Sequence, residues 1–538
     1  MKQKVEKNPS QVKSKFVLGA IVLTITSVIS KILGAFYKVP LMNMIGSNGL
    51  GIFQLIFPVY SFFLVLVSGG ISLGMSKIIS GENKLSGGAF NSMYVKCGLK
   101  LVLLLSLISS VILGGISVPI SIMQGDKTLF VCYLALIPAL VFSSLISVLK
   151  GYFQGKENML PSGISMIIEQ GVKLLAGLLL CKIFIKKSLI FAVFGAFLGI
   201  SLSELVAFVF LLVRYFTFNH GKKGKKNLIN ISTLTKKDCY KNIIKTSFPI
   251  MLNTIIMPLV YAVESGVTIW LLKRASIGTQ TAQSLFGLED GIVGSLINLP
   301  TVISSAIATA LLPSITSSFN SGEDETCSQK STLALRLTWL VALPCFFIFL
   351  LFAKDIVLFL YGGGLKQSAF DELSVVVDLV RLSSLNIVYV SLLSVITAIL
   401  QAINLSFVPV KNLLISGVIK LILTFVLVSS PMLNIYGLVI SDAVCFSLAL
   451  VLNTIALKKS MKISLDLKNF VIKPILSSLV MAFVTFSIKF VLSGLINFKM
   501  LVMISILSGI CVYLFTMFMA KGITKQELFK IKSSQKSK

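Results

Sequence analysis

Residues 160–213 read LPSGISMIIEQGVKLLAGLLLCKIFIKKSLIFAVFGAFLGISLSELVAFVFLLV. Two apolar runs, about 160–183 and 189–213, are parted by a short turn carrying Lys186 and Lys187. Each run exceeds the ~20 residues that an α-helix needs to cross a hydrocarbon core of ~30 Å. Each also holds a charge where charge is costly: Lys173 midway along the first, Glu204 inside the second. A charged group near the bilayer centre costs at least ~2.5–3.5 kcal/mol on insertion scales. The stretch reads as two membrane-crossing helices with polar groups placed deliberately inside them.

The same pattern recurs outward in both directions. Further apolar runs lie at about 16–44, 50–77, 97–120, 129–152, 246–272, 285–316, 331–353, 373–402, 406–428, 435–457, 470–493 and 499–520. With the first two runs these make about fourteen spans. The chain is 55% apolar and 13% charged, where a soluble domain carries roughly a quarter charged residues. The fold class is therefore an all-α integral membrane protein. The polar tail Met1 to Lys15 leads into an apolar run too long for a signal peptide and without a clear cleavage site, so that run is read as the first span. Eight cysteines are scattered without a C-x-x-C pair, and the single histidine, His220, sits in a basic loop. They read as small buried hydrophobes and a surface residue. No metal, haem or other cofactor is expected.

The net charge of +29 is uneven. Lysines crowd the N-terminal tail (Lys2, Lys4, Lys7, Lys13, Lys15), the sixth inter-span loop (Lys222, Lys223, Lys225, Lys226, Lys236, Lys237) and the C-terminal tail (Lys521, Lys525, Lys530, Lys532, Lys536, Lys538). Fourteen spans put all three on one side, which the positive-inside rule makes cytoplasmic. Lys186, Lys187, Lys273 and Arg274 fall on the other side. The basic surplus reads as topology setting and contact with anionic membrane lipids, not as nucleic-acid binding. The expected localisation is the cell membrane, multi-pass, with both termini cytoplasmic.

Two stretches resemble each other at an offset near 247. Gln154 matches Gln401, Pro161 matches Pro409, Gly171-Val172 matches Gly417-Val418, and Lys173-Leu174 matches Lys420-Leu421; Phe194-Gly195 resembles Tyr436-Gly437. The repeat predicts an N-terminal lobe over 1–215 (spans 1–6), a basic cytoplasmic linker over 216–245, a C-terminal lobe over 246–457 (spans 7–12), and two additional spans with a basic tail over 458–538. Such repeats build transporters whose substrate site lies where the halves meet, so two pseudo-symmetric lobes around a central cavity are expected.

Lys31, Lys173 and Lys420 each lie midway along a span, and snorkelling does not easily rescue a lysine there. They are expected to face a water-filled cavity and bind substrate; structural ion pairs are the alternative. Glu169 precedes Lys173 by four residues, the favoured order for a pair on one helix face. Lys420 has Ser416 at that position instead. Lys31 and Lys38 share a face, with Gly34 between them. Lys31, Lys38, Lys173, Lys420 and Glu169 are the candidate substrate-binding residues. Glu264, Glu204 and Asp442 are candidate cation-binding residues. Asp378 and Arg381 should pair near a helix end. Glu289-Asp290 would suit a helix start, Gly69-Gly70 and Gly74 a bend or close packing, and Pro300 and Pro313 a kink or helix end in span 8.

Several segments resemble a known family. They are Ser30-Lys31-Ile32-Leu33-Gly34, Ile45-Gly46, Gly49-Leu50-Gly51-Ile52-Phe53, Gly69-Gly70-Ile71-Ser72 running to Ser76-Lys77-Ile78, Gly151-Tyr152-Phe153-Gln154-Gly155, Glu169-Gln170, Leu299-Pro300-Thr301-Val302-Ile303 and Phe407-Val408-Pro409-Val410-Lys411-Asn412. In order and spacing they are similar to the stage V sporulation protein B and MurJ-like lipid II flippases of the multidrug/oligosaccharidyl-lipid/polysaccharide exporter superfamily. The resemblance covers about residues 16 to 457. It implies a fourteen-helix, two-lobed flippase serving peptidoglycan synthesis, with the spore cortex as one setting and cell-wall synthesis proteins as candidate partners. The MurJ-type pattern has two arginines six apart in the first span. Lys31 fits the first position; the second falls on Tyr37, with Lys38 next to it. Lysine holds a phosphate as a point charge but lacks the arginine fork.

The function expected is translocation of a lipid-linked saccharide, lipid II foremost, by alternating access. The alternative is a multidrug or cation exporter of the same superfamily, whose cationic substrates suit midplane carboxylates better than midplane lysines. A membrane glycan polymerase or glycosyltransferase fits least. The outer loops are short, the longest about 354–372, and the one acidic cluster, Glu323-Asp324-Glu325, lies in a loop assigned inside. The protein is not expected to be an enzyme.

Overall fold

The computed structural model describes residues 9–85, 88–220, 235–365, 371–461 and 468–520. The basic loop around Lys222–Lys226, the first eight residues and the C-terminal tail from Lys521 lie outside the described residues, and with them most of the lysines behind the orientation. Fifteen α-helices carry the described chain: α1 (Pro9–Ser68), α2 (Ile71–Leu85), α3 (Asn91–Met123), α4 (Phe130–Gly155), α5 (Leu160–Phe184), α6 (Leu189–His220), α7 (Lys236–Arg274), α8 (Thr279–Phe286), α9 (Gly294–Asn320), α10 (Asp324–Tyr361), α11 (Glu372–Ala402), α12 (Phe407–Val428), α13 (Tyr436–Ser460), α14 (Lys473–Leu492) and α15 (Phe498–Met519). Among the described residues, thirteen stretches are long and apolar enough to cross a membrane.

The first stretch, Val22–Asn83, is 62 residues long. At 1.5 Å per residue that is roughly three times the hydrocarbon thickness. It is broken at Gly46, whose φ of 70° and ψ of −177° end one helix and begin another inside α1. An L-residue is disfavoured at that φ, and glycine is not. Counted at this break, the crossing segments number fourteen, as expected.

The sequence boundaries of α5, α11, α12 and α15 hold to within a residue or two, and those of α13 to within three. Others are corrected. Span 50–77 is not one helix: α1 ends at Ser68, and Gly70 at φ +85° starts α2. Gly69-Gly70 therefore bends the chain, while Gly74 packs against the Ser247 side chain of α7. Span 285–316 is three pieces: α8, a wide π-helical turn over Gly287–Val293, and α9. Glu289 and Asp290 sit in that turn rather than at a helix start. Pro300 and Pro313 lie inside α9 without ending it. α10 runs on to Tyr361, with its break at Phe352, so the outer loop after it is shorter than 354–372. Asp324 and Glu325 open that helix, where carboxylates complement the dipole. Arg381 Nη1 meets Asp378 Oδ1 at 3.5 Å near the start of α11, as expected.

By packing, the described residues form two compact units, Ser14–Gly287 and Leu288 onward. In the first unit α4, α5 and α6 pack side by side, and α2 and α3 pack against α7. An apolar core of Met75, Ile79, Val95, Val102, Leu149, Tyr152 and Leu211 binds α2, α3, α4 and α6. In the second unit α9, α10, α11 and α13 surround Val395, Ile396, Ile399 and Leu400. The repeat read from the sequence recurs in the packing. A Cβ on Gly195 would lie 2.8 Å from the Leu180 carbonyl oxygen, and one on Gly437 would lie 2.8 Å from the Leu427 carbonyl carbon. Residues 180 and 427 differ by 247, the offset that relates Lys173 to Lys420. Hairpins α5–α6 and α12–α13 are closed by the same contact.

Candidate functional site

In the first unit the polar residues converge on α1, α4, α5 and α6. The first half of α1 lies along α5. A Cβ on Gly163 would meet Thr26 Oγ1 at 2.7 Å, one on Gly34 would meet Gln170 Oε1 at 3.1 Å, and one on Gly177 would meet Tyr37 Oη at 2.7 Å. Small residues at these crossings let the helices approach closely. The approach sets Tyr37, which is 1% exposed, beside the polar positions of α5.

Lys173 Nζ lies 5.2 Å from the Tyr37 ring centroid and 5.7 Å from that of Phe57. An ammonium over aromatic faces gains about 0.5–2 kcal/mol, more as water is removed. Lys38 on α1, and Glu169 and Glu204, act electrostatically on the same ammonium. Glu169, expected as a partner of Lys173 four residues on, instead meets Lys150 Nζ of α4 at 3.5 Å through Oε2, and accepts from Gln170 Nε2 at 3.0 Å through Oε1. Lys150 was missed by reading spans one at a time. The available signal was a charge inside the run 129–152, directly ahead of Gly151-Tyr152.

Lys31 is exposed on α1. The exposed apolar residues of that helix, Ile25, Ile29, Ile32 and Phe36, form one stripe. At about 100° per residue, Lys31 and Lys38 sit roughly 130–150° round from it. Their shared face is thus distinct from the apolar stripe and from the buried line of Thr26, Ser30 and Tyr37.

In the second unit the expectation for Lys420 gives way. Its side chain is fully buried, with Nζ 2.7 Å from Asp442 Oδ1. Asn412 Nδ2 donates to Asn453 Oδ1 at 2.7 Å, and the Thr424 and Ser441 hydroxyls lie 3.0 Å apart. Together these contacts form a polar ladder between α12 and α13. Lys420 does not face water; the structural ion pair is the arrangement found. The candidate cation-binding residues occupy three helices. Glu204 on α6 and Glu264 on α7 are each 6% exposed, and Asp442 on α13 holds the Lys420 ammonium. A further pair, Lys489 Nζ and Asp355 Oδ2 at 2.7 Å, ties α14 to α10.

What the first-unit cluster can do is hold negative charge. Three lysines and two glutamates act on one another electrostatically within the membrane-crossing helices, with two aromatic rings beside the Lys173 ammonium. Two curated relatives from Bacillus subtilis (strain 168) match over most of this chain and most of their own. Stage V sporulation protein B is 26% identical over 459 residues, covering 85% of this chain and 86% of its own. Lipid II flippase MurJ is 26% identical over 471 residues, covering 83% of each. Among solved structures, a lipid II flippase MurJ in an inward closed conformation aligns with a TM-score of 0.66 at 16% identity, covering 92% of this chain and 98% of its own. The resemblance read from the sequence is borne out, and the fold is that of these multi-pass membrane proteins. The family model for polysaccharide biosynthesis proteins matches residues 16–319, more than half of the chain, including every helix that builds the lysine cluster, and the chain belongs to that family.

Proposed function

We propose that this protein carries a lipid-linked saccharide across the cell membrane by alternating access, with lipid II as the cargo. The observation that carries the reading is the position of Lys173, its ammonium held over Tyr37 and Phe57 deep in the first unit and within the electrostatic reach of Lys38. Lipid-linked saccharides present a pyrophosphate between an apolar tail and a polar head. Lysine binds such a group as a point charge. The face of α1 that bears Lys31 and Lys38 would pass the pyrophosphate along an aqueous path, while the lipid tail stays in hydrocarbon. The name of one curated relative, lipid II flippase MurJ, supports the same cargo class. A cation exporter is disfavoured because its substrate would meet three lysines first. The reading involves no catalytic step: a flippase moves its substrate without making or breaking a bond. The lysine distribution supports a cytoplasmic position for both termini. Reconstitution in liposomes with labelled lipid II tests the reading. Flipping above that of protein-free vesicles supports it, and an unchanged rate overturns it.

A further inference from the structure

Glu204 stands apart from the other acidic residues of the first unit. It projects from α6 and is 6% exposed, and its Oε2 is buried without a hydrogen-bond partner. Ser143 of α4 hydrogen-bonds the carboxyl, and Lys150 of α4, Glu169 and Lys173 of α5 and Tyr60 of α1 lie within its electrostatic reach. Both lysines are already engaged elsewhere. Lys150 meets Glu169, and Lys173 lies over Tyr37 and Phe57. Glu204 thus lies within electrostatic reach of a second carboxylate and forms no ion pair with either lysine.

An ionised carboxylate in that position is disfavoured by desolvation, by an unmade hydrogen bond and by its like-charged neighbour. One cation relieves all three at once. A metal ion fits poorly, since it needs several oxygen ligands and would meet two ammonium groups. A proton needs one oxygen. We propose that Glu204 is a proton-binding site, and that its occupancy sets the charge of the lysine cluster. The step is simple: the carboxylate takes one proton and becomes a neutral acid. Lys38, Lys150 and Lys173 against Glu169 and Glu204 sum to +1; with Glu204 protonated they sum to +2. A second positive charge favours a doubly charged anion, so proton and anion binding assist each other reciprocally. The linkage, though not the proton site itself, rests on the function proposed above.

Two measurements on the full-length protein separate these parts. Infrared difference spectroscopy across a pH titration reads the proton directly. A carboxylic-acid carbonyl band present in the wild type and lost in Glu204→Gln supports the site, and its absence at every pH where the protein stays folded overturns it. Calorimetry with farnesyl pyrophosphate, in buffers of different ionisation enthalpy, reads the linkage. The wild type should take up a proton on binding, with affinity rising as pH falls, by up to about tenfold per unit at one proton per anion. Glu204→Gln, which mimics the protonated form, should bind at all pH values as the wild type does at low pH. Binding by the wild type without proton uptake overturns the linkage whatever the variant does. A Glu204-dependent band with no farnesyl pyrophosphate binding leaves the proton site standing and removes the anion reading.

Discussion

Lys420 and Asp442 meet at 2.7 Å between α12 and α13, with the lysine side chain fully buried. Removing one partner leaves a charge in a low-dielectric interior, which costs about 3–5 kcal/mol, whereas replacing both by apolar groups of similar volume is often neutral. Lys420→Met and Asp442→Leu should each lower the melting temperature in detergent by many degrees. The double variant should recover most of the loss. If each single variant melts as the wild type does, the pair has no structural role.

Tyr37 tests how Lys173 is held. Tyr37→Phe keeps the aromatic face and should keep transport within about twofold of wild type. Tyr37→Leu removes it, with a loss of about 0.5–2 kcal/mol in cation–π energy and a matching fall in transport rate. Equal rates for the Phe and Leu variants would show that the ring does not position the ammonium.

Close packing at Gly177 is a second structural test. A Cβ there would lie 2.7 Å from Tyr37 Oη. Gly177→Val should destabilise the first unit by about 1–3 kcal/mol through overpacking, read as lower folded yield and melting temperature. Combining it with Tyr37→Leu should restore part of that loss. Wild-type stability in Gly177→Val would mean that α1 and α5 are not so closely apposed.

The orientation proposed from the lysines is testable by labelling. In a background lacking the eight native cysteines, Lys223→Cys should be protected from an impermeant thiol reagent added to intact cells, and should react after permeabilisation. Strong labelling in intact cells would reverse the orientation.

Much of this architecture is legible because hydrocarbon imposes a length. The run read at 160–183 is the helix Leu160–Phe184, and the run at 406–428 is Phe407–Val428. The break at Gly70 was legible only as one of two readings, a bend or close packing, because apolar residues continue across it and apolarity marks burial in lipid rather than backbone direction. Of the two readings offered for Pro300 and Pro313, a kink or a helix end, the end is not what occurs: both lie inside α9, where neighbouring helices tolerate an interrupted ladder. The lysines were visible as costly charges, but their partners were not. Glu169 has a lysine four residues on, yet pairs with Lys150, nineteen residues back on another helix. Lys420 has no acidic residue on its own helix and finds Asp442 across a hairpin. Periodicity reports what shares a face of one helix; it carries no record of which faces meet.

The central claim is that lysines of the first unit hold the pyrophosphate of a lipid-linked saccharide. Lys31 tests it most cleanly, because it is exposed and its removal leaves no buried partner behind. The measurement is flipping of labelled lipid II by purified Lys31→Ala, Lys31→Arg and Lys31→Glu proteins in liposomes, with melting temperatures read beside the rates. The account predicts a loss of tenfold or more for the Ala and Glu variants, equivalent to at least about 1.4 kcal/mol, partial activity for Arg, and unchanged melting temperatures throughout. Full flipping by Lys31→Ala would contradict it.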